Sequence, residues 1–498
     1  MGALIRANFA FRSLPLHKPC WNWLPAVVAL CAAMSGCGSA VQIYSPRDLR
    51  DAPPSGEVLP LEKILTGSQH IKLVFVHGVG DHCRGYAIGN PETGAPGWLN
   101  DKALKAIGLK KGTYAKVRRI EALEFNGVTD PRSFVWLNEQ SYTLPTRDGP
   151  DVDFVAEEIT WSPMTQWVKS NLLSYEKTEA IKKAGDPDTA CVAEPTVTYF
   201  QPPHRALANK IIKEQTFDRN LADTVIYVGT YGGAIQHGVG AALCRILSPR
   251  PDETPCTWSP DSEVVARQSK YVFVTHSLGG RVLYDTLLSL TGYETKVKPN
   301  PFAPEYWSAA QDAVNRMVVE TPAIYMMANQ LALLGLANVP STTTSSEPLH
   351  PYVEHVDLSR YLPALKISAS ETDAASKRIT DASNKAAQVR SSCPDPLNAL
   401  ADQRRKLQPA AEPLHIVSFN DTNDLLTWHI PSWYENDGTR PDDCRPAIAI
   451  ADVFVQNATP WLGFVEWPAT AHSGYFKNDD VLKVIRCGGK GKPSACAP

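Results

Sequence analysis

No large basic block interrupts this chain, and its charges almost cancel: Lys and Arg number 49, Asp and Glu 52, for a formal net charge of -3. General attraction to nucleic acid or to an anionic membrane surface is therefore excluded as a basis for function. No CxxC pair occurs, so the cysteine spacing does not argue for zinc. The apolar run near the start, Trp21 to Met34, falls short of the roughly 20 residues that a membrane-spanning helix needs. What is present is ordinary globular material, 498 residues that are 43% hydrophobic and 20% charged, enough for a large core. At roughly 150 residues per domain the length alone suggests about three domains. Against that prior, one alternating pattern of strands and helices runs from about residue 71 to about residue 485, with insertions between its elements.

Arg6, Arg12 and Lys18 precede the first apolar run, and Ser35-Gly36-Cys37-Gly38-Ser39 comes after it. Positive residues, a short apolar segment and then small residues form the pattern of a secretion signal. Met34-Ser35-Gly36-Cys37 resembles the lipobox of bacterial lipoproteins, in which the cysteine becomes the lipidated first residue of the mature chain. The resemblance implies a lipoprotein signal peptide over residues 1–36, acylation of Cys37, and membrane lipid as the partner of that anchor. Each buried methylene contributes about 0.8 kcal/mol, so several acyl chains hold a protein on a membrane where one does not. Gly38, in place of Asp, implies the outer membrane of a bacterial cell envelope, on its periplasmic side. Plain cleavage to a soluble product is the alternative. Of the 11 Cys, Cys20, Cys31 and Cys37 lie in or at the end of the signal; Cys83, Cys191, Cys244, Cys256, Cys393, Cys444, Cys487 and Cys496 are even in number. Outside a reducing cytoplasm they suit disulfides, with the short loops Cys244 to Cys256 and Cys487 to Cys496 as the leading pairs.

Residues 37–70 are Pro-rich and weakly periodic, as a tether would be. Ile71 to Val76 is an expected strand that runs into His77-Gly78-Val79-Gly80-Asp81-His82. Val117 to Phe125 and Val152 to Trp161 are further expected strands, and Met164 to Tyr175 an expected helix with Trp167, Leu172 and Leu173 available for a core face. Residues 176–213 are polar and carry four prolines (Pro187, Pro195, Pro202, Pro203), an expected surface excursion. Ala222 to Val228 is expected as a buried strand, leading to an apolar helix through Leu247 in which His237 is a surface or packing residue. Beyond residue 300 the pattern continues with a helix ending near Met317, a strand over Ala323 to Ala328, a polar insertion or lid over 338–412, and strands over Leu414 to Phe419 and Ile448 to Val455. A helix over Asp479 to Ile485 closes it, and 491–498 is a tail. Strands alternating with helices imply an α/β fold with a mainly parallel central sheet flanked by helices.

The chain is organised around Tyr271 to Leu290. Tyr271-Val272-Phe273-Val274 suits a strand buried on both faces, and it breaks at Thr275-His276-Ser277-Leu278-Gly279-Gly280 into a helical pattern. A strand, a sharp turn and a helix expose the serine hydroxyl at the top of a sheet and direct the positive end of the helix at it. This stretch resembles the nucleophile elbow of the α/β-hydrolase superfamily, especially its lipase and esterase branches. Thr275 departs from the usual first Gly, so a methyl and a hydroxyl must fit a crowded position.

The resemblance implies an α/β-hydrolase domain over 71–490, with the 338–412 insertion placed before the acid-bearing strand. It implies an oxyanion hole from the N–H groups of Val79, in the His77-Gly78 loop, and Leu278, after the nucleophile. His77 is expected to hold that loop. The segment Asn420 to Pro431 resembles the acid loop of lipase-like hydrolases and selects Asp424, with Asp421 as the alternative acid. Ala471-His472-Ser473-Gly474-Tyr475-Phe476 falls where the superfamily places its general base; His429 is the alternative, and His276 is excluded because it cannot swing onto the neighbouring hydroxyl. Ser277, Asp424 and His472 then stand in the order Ser, Asp, His that the superfamily demands.

The same resemblance implies acyl transfer from an ester substrate of unknown acyl length to water, needing neither metal nor other cofactor. Trp461, Phe464, Trp467 and Tyr475 line an apolar acyl pocket or simply pack. Two other functions remain compatible with the residues. One is a hydrolase-like scaffold kept for binding. The other is a metal-dependent hydrolase using His77, Asp81 and His82, although Val79 occupies the position of a further His in the metallo-β-lactamase-like motif.

Overall fold

Val74, Val76, Val272, Phe273, Ala323 and Phe419 are buried to the last atom or nearly so, on strands whose successive side chains point to opposite faces. Burial of consecutive residues requires a sheet covered on both sides, the setting in which parallel strands occur. A computed structural model describes residues 41–46, 48, 53–64, 70–90, 96–121, 133–145, 151–173, 206, 209, 213–290, 304–335, 413–430, 448–458 and 468–495.

In chain order the strands are β1 (Gln42–Tyr44), β2 (Glu57–Val58), β3 (His70–Val76), β4 (Lys110–Glu121), β5 (Phe134–Leu144), β6 (Val152–Thr160), β7 (Lys270–His276), β8 (Ala323–Met327), β9 (Leu414–Asp421), β10 (Ile448–Val455), β11 (Gly489–Lys490) and β12 (Lys492–Pro493). The main helices are α1 (Asp101–Ile107), α2 (Pro163–Leu172), α3 (Ala222–Val228), α4 (Gly232–Leu247), α5 (Pro260–Arg267), α6 (Leu278–Leu290), α7 (Pro304–Val319), α8 (Leu331–Gly335), α9 (Pro468–Ser473) and α10 (Asp479–Cys487). A nine-stranded sheet has the order β1-β10-β9-β8-β7-β3-β6-β5-β4. From β10 to β6 neighbouring strands are parallel; β1 at one end, and β5 and β4 at the other, are antiparallel. The architecture is thus α/β with a mixed, mostly parallel central sheet between helices.

One face of the sheet packs on α4, α6 and α7, through residues such as Val239, Leu243, Val282 and Val314. The other packs on α1 and α10, through Leu104, Val481, Val484 and Ile485. Local sequence sets the ends of these helices. The Asn100 side chain accepts from the Ala103 N–H to start α1, and Gly108, at φ 92°, stops it before β4. Asn478 caps α10 in the same way, with Asp479 and Asp480 in its first turn and Arg486 in its last.

The tether and tail expectations are corrected. Residues within 37–70 pair in the fold: β1 adds to β10, and Ile43 is fully buried. Val58 is buried as β2 joins β11 and β12 in a three-stranded sheet that also takes in residues of the expected tail. These strands are too short for periodicity to show, yet they cover an otherwise open sheet edge. The expected strand over Ala222 to Val228 is the helix α3. Asp223 and Tyr227, four residues apart, are buried, while Val225 and Val228 are exposed, which is a helical face. Leu172 and Leu173, expected in a core face, are 74% and 40% exposed. The signal segment with Cys37, residues 176–205 of the excursion expected over 176–213, the insertion over 338–412, and Trp461, Phe464 and Trp467 lie outside the described residues.

The Cys244–Cys256 disulfide forms as expected, joining the end of α4 to the loop before α5. Cys83 and Cys487 are each disulfide-bonded as well; Cys496, the expected partner of Cys487, lies outside the described residues. After β3 the chain builds β4, β5 and β6 to one side and then returns as β7 on the other. Such a reversal of strand order leaves a crevice at the carboxyl ends of the two strands that flank it. In this protein those strands are β3 and β7.

Candidate active site

Ser277 stands at the carboxyl end of β7, between β7 and α6, with φ 53°. A non-glycine residue in the left-handed region is strained and persists only where its surroundings over-determine it. Here the Ser277 N–H donates to the carbonyl of Met327 on β8 at 2.8 Å. Gly279 lets α6 approach β3: a β-carbon there would lie 2.3 Å from the His77 carbonyl oxygen. The Thr275 side chain fits because its partner across the turn is Gly280, whose missing β-carbon would stand 3.1 Å from Thr275 Oγ1.

Side chains from the ends of three parallel strands meet at this serine. His472, on α9 beyond β10, places Nε2 3.0 Å from Ser277 Oγ. Its Nδ1 lies 2.9 Å from both carboxylate oxygens of Asp424, in the turn after β9. The Asp424 side chain is wholly buried and that of His472 is 13% exposed. With Nδ1–H directed at a carboxylate, Nε2 carries the lone pair and accepts the serine proton. Asp424 is held in turn by the Leu426 N–H (2.9 Å) and the Tyr475 hydroxyl (3.0 Å).

Asp424, and not Asp421, therefore faces the imidazole. The Asp421 carboxylate closes the turn, accepting the N–H groups of Asn423 and Asn457. Burial raises its pKa, against the lowering effect of those two amides. Its own N–H donates to the Tyr475 oxygen at 2.8 Å. Tyr475, an expected pocket wall or packing residue, is fully buried and ties the turn after β9 to the segment that follows His472. Burial, then Asp424, raises its hydroxyl well above the ordinary value. His429 is exposed.

His276, next to the serine, turns the other way. Its Nε2–H donates to the His472 carbonyl at 2.8 Å, fixing the backbone of the base. Burial, with His472 close by, keeps its pKa well below the ordinary histidine value, so it is neutral. Its ring packs against Trp98 and Phe476, which stack on each other at 3.6 Å and help wall an apolar cavity with Phe75, Val274 and Met327.

The loop after β3 lies directly on the elbow, since a β-carbon on Gly78 would be 2.5 Å from Ser277 Cβ. His77 holds it from inside. Nδ1–H donates to the Gly78 carbonyl at 2.7 Å, and Nε2 accepts from the N–H groups of Trp161 (3.0 Å) and Ser162 (3.1 Å) at the end of β6. Burial, with His82 near, keeps the His77 pKa well below its ordinary value. Ser162 donates to the Gly80 carbonyl at 2.6 Å, His82 Nε2–H donates to the Val79 carbonyl at 3.1 Å, and Asp223 accepts the Gly80 N–H at 2.7 Å. These bonds occupy the polar groups on either side of the Val79 N–H. Beneath them Lys169 bridges Asp81 (3.2 Å) and Asp223 (2.9 Å), all three side chains having no exposure. Burial favours neutral Asp223 and raises its pKa despite Lys169.

Leu278 opens α6, so its N–H has no acceptor within the helix and lies next to the serine. The arrangement thus offers a hydroxyl, a base with its lone pair on it, an acid fixing that base, and two candidate amides. A metal ion finds less to bind. The ring nitrogens of His77 are engaged with backbone groups, His82 Nε2–H is donated to Val79, and Asp81 is paired with Lys169. Among the described residues no group of three or more His, Cys, Asp or Glu side chains is placed to hold a metal ion.

Sequence reasoning missed three contributors. Gln330, after β8, donates from Nε2 to Ser277 Oγ at 2.7 Å. Lys169 and Asp223 hold the loop from a helix face and from a segment expected as a strand. Comparison of the chain with protein-family models, with curated proteins and with solved structures finds no match in any of the three.

Proposed function

We propose that this chain is a serine hydrolase of the α/β-hydrolase type that cleaves a carboxylic ester through an acyl-enzyme on Ser277. The observation that carries the reading is the continuous relay from Ser277 Oγ through His472 to buried Asp424, at 3.0 and 2.9 Å, with the serine on a strained turn. His472 takes the hydroxyl proton as Oγ attacks the ester carbonyl, and Asp424 holds the tautomer and stabilises the imidazolium. The N–H groups of Val79 and Leu278 receive the charge that develops on the carbonyl oxygen; losing one such donor typically costs about 2.7 to 4 kcal/mol of barrier. His472 then protonates the leaving alcohol, and water, activated by the same imidazole, releases the acid.

The test is hydrolysis of short acyl esters by the purified protein. Ser277→Ala is expected to lower turnover by a factor on the order of 10⁴ to 10⁶. Equal hydrolysis by variant and parent would remove the assignment. The lipobox-like Met34 to Cys37 supports attachment through an acylated Cys37, on the periplasmic side of an outer membrane. Cys37→Ser is expected to move the protein from the membrane to the soluble fraction.

A further inference from the structure

We propose that Gln330 is a further catalytic residue, a fixed N–H donor to the oxygen that attacks the substrate and later leaves it. The proposal rests on the serine-hydrolase reading and adds to it a group at the reacting atom. Gln330 lies just past β8, the strand beside β7, is 3% exposed, and comes within 2.7 Å of Ser277 Oγ through Nε2. The rest of the relay sets the direction of this bond. Asp424 takes Nδ1–H of His472, so Nε2 of that ring accepts the serine proton, and Oγ has only lone pairs left for Gln330. The carboxamide must therefore present its N–H.

The backbone is built to aim it. Among the described residues the non-glycine positions with left-handed φ are Ser277 (53°) and Ala328 (54°), at the ends of adjacent strands. The bond from the Ser277 N–H to the Met327 carbonyl joins the two turns. Asn329 fixes the second turn. Its carbonyl accepts the Trp428 N–H at 3.0 Å, its side-chain amide donates to the Trp428 carbonyl at 3.1 Å, and its Oδ1 accepts the Leu331 N–H at 3.0 Å. Strain at a non-glycine residue is tolerated where function gains from a fixed position. A buried carboxamide is also costly unless its polar atoms are used.

Both halves of the reaction pass charge through the atom that Gln330 touches. In acylation the Oγ–H bond breaks, the proton goes to His472 Nε2, and a lone pair of Oγ forms the bond to the carbonyl carbon. In deacylation water bonds to that carbon and gives its proton to His472. The C–Oγ bond then breaks with its electron pair on Oγ, which takes the proton back. A donor held on Oγ stabilises its partial negative charge in each step.

The experiment uses the full-length protein and a fluorophosphonate, with ester turnover and thermal melting measured alongside. Gln330→Leu is expected to slow modification of Ser277 and lower kcat about 10- to 100-fold, the range for a hydrogen bond to a charged group, with KM little changed. Gln330→Glu keeps the shape and donates only when protonated, so its rate is expected to fall as the new carboxyl ionises, a limb the parent lacks. If the parent is labelled and Gln330→Leu is labelled as fast, Gln330 is not catalytic and the hydrolase reading stands. Should Gln330→Leu fail to fold, an unaltered pH profile in Gln330→Glu overturns the proposal. A parent that takes no label at Ser277 removes both readings.

Discussion

Asp421 and Asp424 are three positions apart and belong to one turn, yet only one of them touches the base. Asp424 shares both oxygens with His472 Nδ1, whereas Asp421 spends its oxygens on the amides of Asn423 and Asn457. Asp424→Asn is therefore expected to cut kcat by about 10⁴, as the wrong imidazole tautomer becomes favoured. Asp421→Asn is expected to leave kcat within about tenfold and to lower the melting temperature instead, through lost turn bonds. Steady-state kinetics and thermal melting of the two variants separate these roles. Thr275 is a residue whose effect sequence alone overstates. Its side chain reads as an obstacle at the elbow, but the crowded position is relieved by Gly280, five residues on and across the turn.

At the scale of elements, what was legible was what had a long pattern or a local motif. The β7 to α6 unit, β9, β10 and the acid loop arise from apolar runs and turn chemistry, and β10 spans Ile448–Val455 as expected. What escaped was set by distant partners. The run Ala222 to Val228 is apolar and β-branched enough to suggest a strand, but it is helical in the fold, and as α3 it turns Asp223 inward, where Asp223 meets Lys169 and the Gly80 N–H. β5 runs unbroken through Asn138, Glu139 and Gln140, which interrupt its apolar pattern in the sequence; they are buried, with Asn138 donating to Glu158 and Glu139 paired with Arg118. Gln330 has no sequence signal, since a Gln after a strand is ordinary until the strand order puts it beside β7. The buried trio under the loop after β3 carries a prediction at this scale. Lys169→Met leaves Asp81 and Asp223 without their cation, and breaking a buried pair from one side costs about 3 to 5 kcal/mol. The expected result is a large loss of stability in denaturant unfolding, with activity lost before global unfolding as the loop loosens.

Across the whole molecule, the described groups that meet at Ser277 and in the loop beside it, from Val79 and Trp161 to Gln330, Asp424 and His472, follow the carboxyl ends of β3, β6, β7, β8, β9 and β10. The same architecture stores an unfavourable charge. Burial pushes the Glu158 pKa up to about 7, even though the N–H groups of Gly85, Ala87 and Ile88 and the Thr160 hydroxyl favour its ionised form. In the unfolded chain the group ionises near its ordinary value of 4.5. Between these two values the folded state binds more protons, so its contribution to stability falls as pH rises and levels off above about 7. Unfolding measured from about pH 4.5 to about pH 8.5 is expected to show this decline, of order a few kcal/mol for Glu158; Glu158→Gln is expected to lessen it, the remainder coming from Glu157, whose pKa burial also raises. A variant as pH-dependent as the parent would show that Glu158 does not titrate in this range.

The most direct test of the Ser277 relay is modification of the intact protein by a fluorophosphonate, with mass mapping of the adduct. The expected result is a single phosphonyl group on the peptide carrying Ser277, absent in Ser277→Ala and slowed in Asp424→Asn and in variants of His472. An unmodified Ser277 in the folded, full-length protein, or an adduct on another residue that persists in Ser277→Ala, would contradict it.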